Sequence, residues 1–111
     1  MTKADIVSII AEGTGLTKVE TAAVVDGFIA SLSYGLKKGE SVELRGFGSF
    51  RVVERKARVG RNPRTGKEIH IPHRKVPVFR CSRDFRDYIN EPLEEDEVLK
   101  MIDSEQSEGG E

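Results

Sequence analysis

Apolar residues recur at helical spacing over the first forty positions and at every second position over the next forty, so helices are predicted to precede a sheet. Ile6, Ile9 and Ile10 mark a first helix from about Lys3 to Glu12, with Thr2 as cap candidate and Gly13 and Gly15 closing it. Thr17-Lys18-Val19-Glu20 has capping-box form, in which hydroxyl and carboxylate satisfy orphan amides reciprocally, and opens a second helix reaching about Lys38. Its residues Ala22, Val25, Ile29, Leu32 and Leu36 are spaced 3, 4, 3, 4 and form one seam. Val24 and Phe28 widen that face beyond what a helical hairpin needs, which implies two partners. Gly39 ends the helix, with Lys37 and Lys38 favourably placed against its negative terminus.

From Ser41 the period is two. Val42 and Leu44 alternate with Glu43 and Arg45; beyond Gly46-Phe47-Gly48, Phe50 and Val52 alternate with Arg51 and Val53. This predicts a β-hairpin whose glycines admit positive φ at the reversal. Farther on, alternating flanks from Arg55 to Val59 and from Glu68 to Val78 enclose the turn formers Gly60 to Lys67. They read as a long two-stranded arm over about residues 55–75. Each leg of roughly eight to ten residues extends about 25 to 33 Å, too far and too polar to fold back into a core. Val76, Val78 and Phe79 return the chain to the sheet, and Ser82 caps a short last helix from about Arg83 to Asn90, with Phe85, Tyr88 and Ile89 on one face.

Pro92 breaks that pattern, and residues 91–111 are predicted to be an acidic, disordered tail, although Leu93, Val98, Leu99 and Ile102 could form a weak docking turn. The fold class is therefore α+β: a helical hairpin, an antiparallel sheet with a protruding arm, and a short helix, forming one domain over residues 1–90.

With 111 residues the core is small, and a second subunit is an expected source of burial. The single cysteine, Cys81, excludes an intrachain disulfide, and no apolar run approaches the length of a membrane span or signal peptide. A soluble, cytoplasmic chain with no membrane partner is expected. Charge changes the picture more. The net charge of -1 hides a body, residues 1–90, with 17 Lys and Arg against 10 Asp and Glu, and a tail with nine acids against Lys100. Within the arm, Arg55, Lys56, Arg58, Arg61, Arg64, Lys67, Arg74 and Lys75 face one acid, Glu68.

A two-stranded basic arm fits a groove of duplex DNA and neutralises phosphates, releasing their counterions. At its tip, Asn62 offers a polar group to minor-groove acceptors, and Pro63 a rigid ring able to wedge between base pairs. The rival reading is a basic hairpin that grips an acidic protein or structured RNA. Enzymatic readings are poorly supported. Gly60 to Lys67 imitates a phosphate loop, but five residues separate Gly60 from Gly66 and Glu68 stands where a hydroxyl residue should follow. His70 and His73, three apart on a strand-like segment, point to opposite faces without further ligands, and Cys81 has no assignable base. No catalytic, cofactor or metal residues are therefore predicted.

Gly46-Phe47-Gly48-Ser49-Phe50 followed by Gly60-Arg61-Asn62-Pro63-Arg64-Thr65-Gly66 resembles the signature of the bacterial histone-like HU and integration host factor family, and the likeness runs from Lys3-Ala4-Asp5 through Asn90. The resemblance implies an intertwined dimer, of like chains or of paralogues, with Phe47, Phe50 and Phe79 in a shared aromatic core. It further implies an architectural function: two arms embrace double-stranded DNA in the minor groove, Pro63 of each intercalates, and the bent DNA shapes the nucleoid. Lys3, Arg45, Arg80, Arg83 and Arg86 are then expected to contact flanking phosphates beside the arm residues. Arg45 is similar to the beta subunit of integration host factor, whereas Cys81-Ser82-Arg83-Asp84 and the acidic tail depart from the family pattern. Asp84 would weaken a phosphate contact or favour the helix dipole. The tail either competes with DNA for the basic body or serves as a solubilising end.

Overall fold

The computed structural model describes residues 1–109, with side chains through residue 103. In chain order the elements are α1 (Lys3–Thr14), α2 (Lys18–Lys37), β1 (Val42–Leu44), β2 (Gly48–Arg55), β3 (Arg58–Arg61), β4 (Glu68–Ile71), β5 (Arg74–Cys81), α3 (Arg83–Ile89) and α4 (Glu97–Gly109). They form two compact units: residues 1–32 with those from 90 onward, and residues 33–89.

In the first unit, both helix starts follow from their capping residues. The Thr2 amide donates to Asp5 Oδ2 at 2.7 Å while the Asp5 amide donates to the Thr2 hydroxyl at 3.4 Å. At α2 the reciprocal pair is Thr17 and Glu20, 3.1 Å in each direction. Thr21, 1 % exposed, returns its hydroxyl to the Thr17 carbonyl at 2.8 Å, which satisfies a buried polar group within its own helix.

α1 runs two residues past Glu12 before Gly15 closes it at φ 78°, a left-handed conformation that glycine adopts without a Cβ clash. Gly13, expected outside the helix, lies within it. The reason is packing: a Cβ at Gly13 would stand 3.0, 3.1 and 3.3 Å from three carbons of Ile102, a residue of α4. α4 takes up Glu97–Gly109 of the segment 91–111 expected to be an acidic, disordered tail, of which the last two residues lie outside the described residues. Leu99 and Ile102, two of the apolar residues expected to be able to form a weak docking turn, are half-buried on α4, which packs against α1.

In the second unit, β1, β2 and β5 form an antiparallel sheet in the order β1-β2-β5, while β3 and β4 pair separately. One register governs both sheets. It runs from Gly48↔Cys81 to Arg55↔Arg74 and resumes at Arg58↔Ile71 through Arg61↔Glu68. Only the Lys56-Ala57 and Pro72-His73 stretch interrupts the ladder, so the long two-stranded arm expected over about residues 55–75 is carried by two sheets in phase. Proline is the physical cause, because Pro72 has no amide hydrogen to donate.

The turn between β1 and β2 needs its glycines for different reasons. Gly46 has φ 82°, and the Phe47 amide closes on the Leu44 carbonyl at 2.9 Å. Gly48, expected to share that freedom, instead provides room: a Cβ there would lie 2.5 Å from the Arg80 carbonyl oxygen and 2.6 Å from the Phe79 ring. This close approach lets Phe47 join Phe79 (centroids 5.0 Å) and Phe79 join Phe50 (4.7 Å). Ser82 caps α3 as predicted, accepting from the Phe85 amide at 3.0 Å, which brings Phe85 edge-on to Phe47 at 4.8 Å.

Candidate nucleic-acid interface

Directly opposed residues of an antiparallel ladder project to the same side, so the register sorts the basic residues by face. Ser49↔Arg80, Arg51↔Val78, Val53↔Val76 and Arg55↔Arg74 share one face of the three-stranded sheet. Phe50↔Phe79, Val52↔Pro77 and Glu54↔Lys75 share the other, which carries the aromatic rings. Arg55, Arg74 and Arg80 thus share a face, Arg55 opposite Arg74 and Arg80 six residues along β5, whereas Lys75 lies on the reverse. Arg55 and Arg74 stand directly opposite as like charges, an arrangement that costs about 0.2 to 1 kcal/mol relative to a neutral pair unless an anion offsets it.

At the base of the arm, Arg55, Lys56, Arg58 and Arg74 line an open cavity of about 510 Å³, with Glu54 on its wall. His73 Nε2 lies 3.6 Å from Glu54 Oε2, so that histidine shares in an exposed local pair. Along the arm, Arg58↔Ile71 and Gly60↔Ile69 form one face; Val59↔His70 and Arg61↔Glu68 form the other. Arg61 therefore has the arm's one acid opposite it.

The tip is fixed by its own hydrogen bonds. Asn62 donates its amide to the Lys67 carbonyl at 2.9 Å, and Gly66 donates to the Asn62 carbonyl at 2.8 Å. The Asn62 side-chain oxygen accepts from the Arg64 amide at 2.8 Å, an Asx turn that holds exposed Pro63 at the apex. That bond engages the Asn62 side-chain oxygen; the group expected to meet minor-groove acceptors is the side-chain NH2 of Asn62. Arg64 and Lys67 flank the apex, both exposed.

Body residues divide between the units. Arg45 and Arg80 line one shallow hollow with Ser82 at the start of α3, while Arg83 and Arg86 lie on α3 itself, Arg83 reaching Asp87 at 3.9 Å. Lys3 belongs to the first unit, where Asp26 of α2 takes its ammonium at 2.8 Å. Asp84 occupies the first turn of α3, a position where negative charge favours the helix dipole. Sequence reasoning left out Phe85, the fourth ring of the aromatic cluster, and Arg51, which shares the sheet face of Arg55, Arg74 and Arg80. Both were signalled, Phe85 by its helical spacing and Arg51 by having the same strand parity as Arg55.

With that geometry established, similarity to known proteins becomes informative. The sequence model of the family described as "Bacterial DNA-binding protein" matches residues 1–90. DNA-binding protein HU of Staphylococcus aureus (strain COL) is 48 % identical over 89 residues, covering 80 % of this chain and 99 % of that protein. DNA-binding protein HU-beta of Serratia marcescens is 48 % identical over 90 residues, covering 81 % and 100 %. Among solved structures, Anabaena HU in a cocrystal with DNA superposes with a TM-score of 0.76 at 38 % identity, covering 83 % of this chain and 100 % of that one. The chain belongs to the bacterial DNA-binding protein family of the HU histone-like type, with residues 91–111 lying beyond the matched domain.

Proposed function

We propose that this protein is an architectural DNA-binding protein of the bacterial nucleoid, in which two chains grip one duplex through their basic arms and bend it at the minor groove. The observation that carries this reading is the arm: a two-stranded element with eight basic side chains over residues 55–75, ending in a hydrogen-bonded turn that presents Pro63. Backbone phosphates supply its affinity, and Pro63 acts as the wedge that unstacks a base step. Sequence preference arises from how easily a site deforms, flexible pyrimidine-purine steps being the least resistant. The match to an HU protein crystallised with DNA supports the same interpretation.

Unsatisfied apolar surface supports the two-chain body. Val24, Phe28 and Ile29 on α2 are 64 %, 50 % and 48 % exposed, and Phe47 and Phe79 are about 40 % exposed at the edge of the aromatic cluster. Burying a phenylalanine completely contributes about 1.5 to 3 kcal/mol, so these half-open rings are surfaces that a second copy of the chain would stabilise.

A short duplex labelled at both ends with a fluorescence donor and acceptor tests the function, with sedimentation reporting the stoichiometry. Increased transfer on binding, with two chains per duplex, is expected. Binding without approach of the ends would reject bending, and binding as one chain would reject the shared body.

A further inference from the structure

The face of the three-stranded sheet opposite the aromatic rings carries four guanidinium groups, and the resemblance that pointed to the arm and flanking residues did not draw attention to the central one. Arg51 is exposed in the middle of β2. On β5 its ladder partner is Val78 and its diagonal neighbours are Arg80 toward one end and Val76 toward the other; on β1 its diagonal neighbour is Glu43. Diagonal positions lie about 7 to 8 Å apart, and Arg55, four residues along the same strand, is about 13 Å away. Arg80, Arg51 and the Arg55–Arg74 pair therefore form a row of cations along one flat face. Among the described residues no carboxylate pairs with Arg51, and the ladder puts one acid, Glu43 opposite Ser49, on the same side.

A long side chain at the centre of a sheet ordinarily either covers apolar surface or meets an opposite charge. Arg51 has valines beside it and, among the described residues, forms no ion pair, the diagonal Glu43 of β1 included, while the reverse face already receives the aromatic core. We propose that Arg51 is a phosphate-contacting residue on the floor between the arm and the body, and that it extends the DNA footprint across the sheet. This rests on the DNA-binding function proposed above. The planar guanidinium on a fixed strand suits a phosphate oxygen, and because it touches backbone and not base edges it contributes affinity without sequence preference.

The test compares the full-length wild type with Arg51→Gln, Arg51→Lys and Lys38→Gln on one duplex across a salt series. Lys38 lies in the turn after α2, paired with Glu40 at 3.1 Å, so its substitution removes equal charge from outside the strand ladders. Each phosphate contact contributes about 0.9 to the slope of log affinity against log salt, equivalent to about eight-fold in affinity at 0.1 M relative to 1 M salt. Arg51→Gln is expected to flatten the slope by about that amount per chain and weaken binding at 0.1 M accordingly, with Arg51→Lys retaining most of the slope and all variants melting alike. An Arg51→Gln slope indistinguishable from that of Lys38→Gln would overturn the assignment, as would weaker binding at an unchanged slope, which would indicate packing. A wild type that fails to bind duplex at any salt would instead reject the underlying function.

Discussion

Gly48 concentrates much of the sheet's geometry in one missing side chain. Because a Cβ there would meet the Arg80 carbonyl at 2.5 Å and the Phe79 ring at 2.6 and 2.7 Å, the backbone and a packed ring would both have to move. Gly48→Ala should lower unfolding free energy by about 1 to 3 kcal/mol, measured by denaturant titration, the usual range for overpacking a close contact. At the start of α2, hydrogen bonding to the Thr17 side chain and then to its backbone holds the Glu20 carboxyl below its ordinary value. A lowered carboxyl stabilises the fold above the unfolded-state value and ceases to do so as pH falls through the folded one. Wild type should therefore exceed Glu20→Gln in melting temperature at neutral pH, and the gap should close on acidification through and below the ordinary carboxylate range. A gap unchanged by pH would show that charge on Glu20 has no part in the cap.

At the scale of elements, the arm is one register carried across two sheets, and the tip keeps its phase relative to the aromatic cluster because the Pro72 interruption removes ladder bonds without adding a residue. Pro63→Ala preserves that frame and removes the rigid ring. Energy transfer at saturation should fall markedly while affinity falls less, since phosphates supply most of the latter; equal bending would eliminate the wedge. Most of these elements were legible in sequence. Thr2, Thr17 and Ser82 announced helix starts because capping is local, and the alternation around Gly46 to Gly48 announced the hairpin for the same reason. The lapse at Pro72 required knowing which residue faced it. Nor could local pattern reveal that Gly13 lies against Ile102, almost ninety positions away, so a glycine needed for contact was taken for a helix stop. The interface was legible as a charge total, but the division of its cations between two faces depended on the register.

For the whole molecule, charge and packing in the tail have separate effects. Residues 91–111 carry nine acids beside a body that is basic overall, and the described part includes α4 docked on α1. If the tail competes with phosphates for the body, Glu94→Gln, Glu95→Gln and Asp103→Asn combined should tighten DNA binding at low salt while leaving Ile102 in place. That advantage should vanish as the screening length shrinks from about 30 Å at 0.01 M to about 3 Å at 1 M. Equal affinity at low salt would assign the tail to solubility alone. The notch that receives Ile102 also limits how the tail could be inherited or transplanted. Appended to an HU protein with a side-chain-bearing residue in place of Gly13, α4 could seat only if Ile102 gave way by a few tenths of an ångström, which couples the residue at this one position to the fit of the whole extension.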